Sequence, residues 1–335
     1  MESTLFFCTL FDSNYLSRGL AMYNSLVKNC KDFHLYIFAF DTFTFNFFLQ
    51  NNIDHITVIS LQDFEDEKLL DIKYTRSKAE YCWTCTPSTI KYVIEKYNVP
   101  HCTYLDSDLF FYSSPYPLIE EMCDASVSII PHRYTPKYDQ SATSGIYCVQ
   151  FMTFKNDPNG LEVLNWWRNA CIEWCYARFE DGKFGDQKYL DHWPTQFNSV
   201  KVLTHLGGGV APWNMQQYNY LIENDKLIGI EIKTNKKFEI IFFHFHSFSF
   251  WSNHFFSHRP KYKRSKPVIE LITMPYKQEI ELVRKNYKEI NKIEKYFNFI
   301  QKIKFFLEIV VKRGLKEFYY FYLLHYKHKK NGKNN

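Results

Sequence analysis

The chain has 335 residues, 46% of them hydrophobic, which supports a true core and allows one large α/β domain with an appendage or two modest domains. No stretch approaches the ~20 apolar residues needed to cross a bilayer, so a membrane-spanning protein is excluded. The net charge of +5 is uneven: residues 259–335 hold 20 Lys and Arg against 7 Glu and no Asp, a net of +13, which leaves −8 on residues 1–258. An acidic body with a basic tail suggests two jobs, and the division is expected at 1–258 and 259–335.

Thr4–Leu10 reads as a buried strand and Tyr15–Lys28 as a helix with Leu16, Leu20, Tyr23 and Val27 on one side. Phe33–Phe40, Asp41–Asn51 and Ile56–Ser60 follow as strand, helix and strand. Thr86-Pro87 reads as a helix start, with Thr86 at the N-cap and Pro87 where its missing N–H costs nothing. That helix runs to Tyr97, and His101–Leu105 is a fourth strand. Such alternation predicts a mainly parallel sheet covered on both faces, with ligands beyond the carboxyl ends of its strands. Further strands are expected at Ala125–Ile130 and Ile146–Phe154, and a helix at Pro158–Ala177. HLGGGVAPWN (205–214) reads as a loop, and Lys237–Phe245 as the last strand.

The nine cysteines read as reduced thiols. MESTLFFCTLFD has an early acid and no basic region, so a cytosolic body is expected. Cys82 and Cys85 have CxxC spacing without a second close pair, and Cys171 and Cys175 share a helical face. All four read as small buried hydrophobes.

The chemistry begins at YLDSD. Positions i and i+2 of an extended stretch point the same way, so Asp106 and Asp108 can face one ligand. Two carboxylates that close repel, and a hard cation, Mn²⁺ or Mg²⁺, held together with substrate phosphates would relieve them. The alternative is a solvated turn. His244 and His246 end the last expected strand. One is expected to face the site as a further ligand, His244 first and His246 second, and the other to face away. FGDQKYLD (184–191) reads as a turn into a short helix, with Leu190 and Trp193 packed inward. Asp186 is either a helix cap or a pocket residue beside Gln187, whose amide can bind a sugar hydroxyl.

In order along the chain, FFCTLFDSNYLSRGLAMYNSL, TYLDSDLFF, SGIYCVQFMTFKND, GDQKYLD and FFHFHSF resemble the nucleotide-sugar glycosyltransferases of the GT-A fold. The nearest likeness is to family 8 and related bacterial capsule and lipopolysaccharide enzymes, over residues 3–255. The resemblance implies a mixed, mainly parallel, Rossmann-related sheet flanked by helices, and a hexosyltransferase working from a UDP-sugar. It implies Asp106, Asp108 and His244 as metal ligands, Asp106 also against the diphosphate. It implies Asp12 and Asn14 at the nucleoside, Ser144 and Gly145 beside the sugar, and Asp186 and Gln187 facing it as catalytic groups. Retention of configuration by front-face substitution is the mechanism it suggests. The family's arginine ahead of the metal-binding strand is absent, since Thr86-Pro87-Ser88-Thr89 stands there; Arg76 or Lys78 is the expected substitute. No Lys-Pro-Trp follows His244. Trp213 and Asn214 in APWN are the expected acceptor platform, with ordinary packing as the alternative.

In the basic tail, Gln301, Lys304, Glu308, Lys312 and Lys316 form a polar stripe on an otherwise apolar helix. It reads either as a helix lying on an anionic membrane or as one packed on the body. No nucleic-acid motif is present. The combined expectation is a transferase for surface glycan synthesis at the cytoplasmic membrane face, with a saccharide or lipid-linked glycan as acceptor. The rival readings are a nucleotidyl- or phosphotransferase and a nucleotide-binding protein without turnover.

Overall fold

A computed structural model describes residues 3–251, 255–258 and 262–290. The first part of the chain alternates as expected: β1 (Leu5–Phe11), α1 (Leu16–Asn29), β2 (Phe33–Ala39), α2 (Thr42–Asn51) and β3 (Ile56–Ser60). Short helices α3 (Leu61–Phe64) and α4 (Glu67–Lys73) lead to the long α5 (Lys78–Tyr97). Then come β4 (His101–Leu105), β5 (Leu109–Phe111), α6 (Tyr116–Glu120), β6 (Val127–Pro131), α7 (Ser141–Ser144), β7 (Tyr147–Lys155) and α8 (Pro158–Glu173). The remainder holds α9 (Trp193–Gln196), β8 (Val200–Val202), β9 (Tyr218–Glu223), β10 (Lys226–Glu231), β11 (Lys237–Glu239), β12 (Phe242–His244), β13 (Phe248–Trp251), β14 (Phe255–His258) and α10 (Met274–Asn286).

Seven strands form the central sheet in the order β3-β2-β1-β4-β7-β6-β8. β1 pairs in parallel with β2 and β4, and β2 with β3, whereas β7 runs antiparallel to both β4 and β6. The inner strands are apolar at nearly every position because both faces are covered. Along β1, Leu5, Phe7 and Phe11 pack towards α1 with Leu16, Leu20 and Leu26. The alternate residues Cys8 and Leu10 join the opposite core with Ile90, Val93 and Trp167.

Three elements depart from the sequence reading. The helix expected to start at Thr86-Pro87 starts at Lys78, and Pro87 lies inside it. Ser77 and Glu80 form a capping box there, satisfying two end donors at once, which the Thr86 signal cannot match. Lys237–Phe245 is two strands: Ile240 still bonds Leu227 of the β10 sheet, then Ile241 and Phe242 turn to the Gly207 carbonyl and β12 pairs with β5. It is also followed by β13 and β14. The β9–β10 hairpin went unread, although Asn224 and Asp225 both take positive φ (51° and 61°), as a two-residue turn requires.

Of the expected tail, the described part joins the body. The carboxylate of Glu279 on α10 accepts from Asn24 (2.7 Å) and Lys28 (2.8 Å) of α1. Tyr276 stacks on Phe245 at 3.8 Å, and Ile280 and Val283 are buried. The stripe from Gln301 to Lys316 lies outside the described residues. Among the described residues, no helix is long and apolar enough to cross a membrane.

One buried residue ties the core to the pocket. Trp167 of α8 stacks on Phe154 (6.0 Å, 10°) and meets Trp193 edge-on (5.5 Å). Its indole N–H donates to the Asp186 carbonyl at 2.9 Å. Trp167→Ala should cost about 3–5 kcal/mol of stability in denaturant titration, whereas a loss under 1 kcal/mol would mean the site loop is held by something else.

Candidate functional site

A cavity of about 720 Å³ opens beyond the carboxyl ends of β1 and β4. The sheet order explains the place: β1 and β4 are neighbours, and their chains leave the sheet there at Asp12 and Asp106. Among its described lining residues are four carboxylates, Asp12, Asp106, Asp108 and Asp186, against one lysine, Lys78.

The tightest cluster is Asp106, Asp108 and His244, each offering one atom within 4.8 Å of the others. The β5–β12 ribbon assembles it, because Leu109 stands opposite His244 and the Phe245 N–H donates to the Asp108 carbonyl (2.9 Å). His244 Nε2 is 3.0 Å from Asp108 Oδ1 and 3.5 Å from Asp106 Oδ2. The other ring nitrogen, Nδ1, meets Gln150 Oε1 at 2.9 Å. An amide oxygen can only accept, so Nδ1 carries a proton and Nε2 is turned to the carboxylates.

The electrostatics agree. Burial first, then the neighbouring Asp108, push Asp106 up to about 6, against the pull of His244. Burial also works to raise Asp108, but the His244 imidazole outweighs it and holds that carboxyl low. Burial disfavours a charged His244, yet Asp108 and Asp106 hold the ring protonated well above its usual range. The imidazolium proton thus stands where a cation would relieve the same two carboxylates. Two hard oxygens and one imidazole nitrogen fit Mn²⁺ or Mg²⁺. Among the described residues, no other group of three such ligands gathers.

His246 does not turn away as expected. It lies in the turn after β12, closed by the Phe248 N–H on the Phe245 carbonyl (3.1 Å), and lines the same pocket; Trp213 packs edge-on to His244 at 5.4 Å and to His246 at 5.6 Å. Asp12 and Asn14 line the cavity together, with Asn14 donating to Asp12 through its backbone N–H (3.0 Å) and its amide (2.9 Å). Lys78, in the first turn of α5, is paired with Asp12. Arg76 lies apart: it stacks over the Tyr176 ring (3.9 Å) and donates to the Ile172 carbonyl (3.1 Å). Of the two expected arginine substitutes, only Lys78 reaches the pocket.

Gln187 and Ser144 line the cavity, and the Gln187 amide donates to the Ser144 carbonyl at 2.7 Å. Gly145, at φ 103°, sits behind them against Asp191. Gly185, at φ 53°, turns the chain over the Trp83 ring and delivers Asp186 to the pocket. Asp186 makes no cap on the short helix after it. Burial, then the Asp106 carboxylate, push its carboxyl up to about 8. Trp213 lines the cavity, but Asn214 is fully buried and holds the His132 and Gly209 carbonyls at 2.9 and 2.8 Å. Asn214 is a structural pin, not a surface a sugar can touch.

Gln150 was missed because a lone Gln within a strand of nine residues carries no signal. His132, Tyr134, Tyr15, Cys82 and Trp83 were missed too, since they come from separate segments that meet only in the fold. All nine cysteines are free, and burial pushes the Cys82 thiol up to about 12.

Two expectations follow. Gln150→Leu should weaken Mn²⁺ binding about 10–100-fold by calorimetry with the circular dichroism unchanged; unchanged affinity would mean Gln150 does not orient His244. The second concerns Asp186. A carboxyl raised by folding loses stability as pH climbs from its ordinary 3.8 towards 8, since the unfolded chain ionises first. Asp186→Asn removes that loss. Its melting temperature relative to the parent should therefore climb between pH 4 and 8 and then level, and less steeply with Mn²⁺ present. A flat difference across that window would show that Asp186 titrates normally.

The chain is 30% identical over 282 residues to YfnD of Bacillus subtilis (strain 168), covering 82% of this chain and 88% of that one. It is 30% identical over 247 residues to YfnF of the same organism, covering 71% and 80%. Both are described as uncharacterized proteins. No protein-family profile matches the chain. Among solved structures, the glycosyltransferase GlyE of Streptococcus pneumoniae TIGR4 aligns with a TM-score of 0.50 at 12% identity, covering 89% of this chain and 66% of that one. That likeness concerns the fold, which is the mixed, mainly parallel GT-A sheet. The chain therefore belongs to the family of YfnD and YfnF and carries the GT-A glycosyltransferase fold.

Proposed function

We propose that the protein is a metal-dependent glycosyltransferase that moves a hexose from a nucleotide sugar, a UDP-hexose, to a saccharide acceptor. The observation that carries this reading is the Asp106–Asp108–His244 cluster, set in a pocket whose described lining has one lysine, Lys78, already paired with Asp12. Such a pocket repels a diphosphate unless a cation comes with it. Asp106, Asp108 and His244 would hold Mn²⁺ or Mg²⁺, which supplies Lewis-acid neutralisation of the leaving diphosphate.

Asp12 and Asn14 bind the nucleoside, and Lys78, the one lysine among the described lining residues, serves the phosphates. Ser144 and Gln187 hold the sugar. Asp186 is kept neutral near pH 7 by its burial, so it donates a hydrogen bond to a sugar hydroxyl instead of repelling the diphosphate. In front-face substitution the acceptor oxygen bonds to the anomeric carbon as the bond from that carbon to the phosphate oxygen breaks. The acceptor proton passes to that departing oxygen, and configuration is retained. Gln187 stabilises the oxocarbenium-like centre through its amide oxygen, whose nitrogen is already committed to Ser144. The body works at the cytoplasmic membrane face, with the basic segment to residue 335 on anionic lipid and a lipid-linked glycan as acceptor. The +13 charge of residues 259–335 supports that attachment.

Calorimetric titration of UDP with and without Mn²⁺ tests the reading. Binding should require the metal, and Asp106→Asn and Asp108→Asn should each abolish the metal-linked part. UDP-hexose turnover should fall with them. UDP binding indifferent to Mn²⁺ and to both substitutions would sink the proposal.

A further inference from the structure

We infer that the end of the pocket walled by His132, Tyr134, Trp213, His246 and Tyr262 is a seat for the acceptor, shaped for a neutral sugar ring lying with one C–H face against aromatic rings. This rests on the transferase reading and gives its acceptor a place and a chemical class.

The charged lining is confined to the other parts of the cavity. Asp12 follows β1, Lys78 opens α5, Asp106 and Asp108 join β4 to β5, and Asp186 sits on the 184–187 turn. The wall residues themselves are rings, none of them a lysine, arginine or carboxylate. A charged sugar entering there would lose water without gaining an ionic partner, which is costly. A neutral pyranose loses less: its C–H bonds carry small positive charges that suit the negative face of an aromatic ring.

Four of these rings, His132, Tyr134, Trp213 and His246, form one connected wall. His132 and Tyr134 stack at 4.6 Å with 11° between their planes. Trp213 meets His132 edge-on at 5.2 Å and lies 6.3 Å from Tyr134. The same indole abuts His244, so a sugar on this wall lies beside the cluster that would hold the metal. The wall is also rigid. The Trp213 indole N–H and the Asn214 amide both donate to the His132 carbonyl at 2.9 Å, and the Thr135 N–H donates to the Trp213 carbonyl at 2.9 Å. A wall fixed before the ligand arrives spends little binding energy on ordering.

His132 supplies a second, independent sign. It is 3% exposed, it lines the pocket, and its Nδ1 has no hydrogen-bond partner. Burial pushes its pKa down to about 3, so the ring is neutral. A sugar hydroxyl can complete that nitrogen, since a hydroxyl both donates and accepts. An unpaired buried nitrogen is uncommon without a ligand or water to complete it.

The experiment uses the full chain loaded with UDP and Mg²⁺, probed with methyl glycosides of glucose, galactose and mannose, and with those of glucuronic acid and glucosamine. Saturation-transfer NMR should show at least one neutral glycoside bound, with transfer strongest to the protons of one ring face. Tyr134→Ala should weaken that binding about tenfold, with the affinity for UDP and Mg²⁺ unchanged. Equal or stronger binding of the charged glycosides would overturn the proposal. So would unchanged binding in Tyr134→Ala, or no binding of any neutral glycoside. Neutral glycosides bound at this wall by a protein that ignores UDP would keep the seat and remove the transferase reading instead.

Discussion

Two carboxylates two residues apart, held by one imidazole, are the constraint from which the site is built. Asp106 and Asp108 cannot both carry charge at that spacing without compensation, and His244 provides it at 3.0 and 3.5 Å. To do so, the chain crosses from the β9–β11 sheet to β5, and strand β12 is only three residues long. Gln150 then fixes the ring from behind on β7, two strands into the central sheet. The path of residues 237–248 thus carries His244 to the two carboxylates while it buries Ile240, Phe243 and Phe245 in the core.

The remaining pocket grades away from that demand in two directions. Towards β1 and α5 it is charged and hydrogen-bonded, with Asp12 serving both Lys78 and Asn14. Towards Trp213 it is aromatic, and its backbone is pinned by a buried asparagine. Asp186 also lines it, a carboxyl pushed towards its neutral form by burial first and then by the Asp106 carboxylate. A pocket with a polar end, a cationic need at its middle and an aromatic end can separate the parts of two substrates without moving.

Much of the fold was legible because the inner strands are apolar on both faces and the helices between them are periodic. The place of Asp106 and Asp108 was legible too, since two acids in a turn between apolar runs call for a counter-charge close by. What the sequence hid has a common cause. Gln150, His132 and Tyr134 matter through contacts with residues far away in the chain, and their local neighbourhoods look like ordinary strand and loop. Arg76 and Asn214 misled for the converse reason: each is chemically apt for a sugar phosphate or a hydroxyl, but a tyrosine ring and two backbone carbonyls already occupy them. Thr86-Pro87 was a sound local cap that lost to a better one nine residues earlier.

The split of the cluster between the two halves of the chain has a consequence for its making. Asp106 and Asp108 leave the ribosome long before His244 does, so the growing polypeptide carries a pair of unneutralised acids until β12 arrives to close on β5. The site is therefore also a latch. An ion that binds all three residues favours the docked ribbon over the undocked one by mass action. An ion bound by all three would thus add to the hold of β12 on β5 as well as to the chemistry.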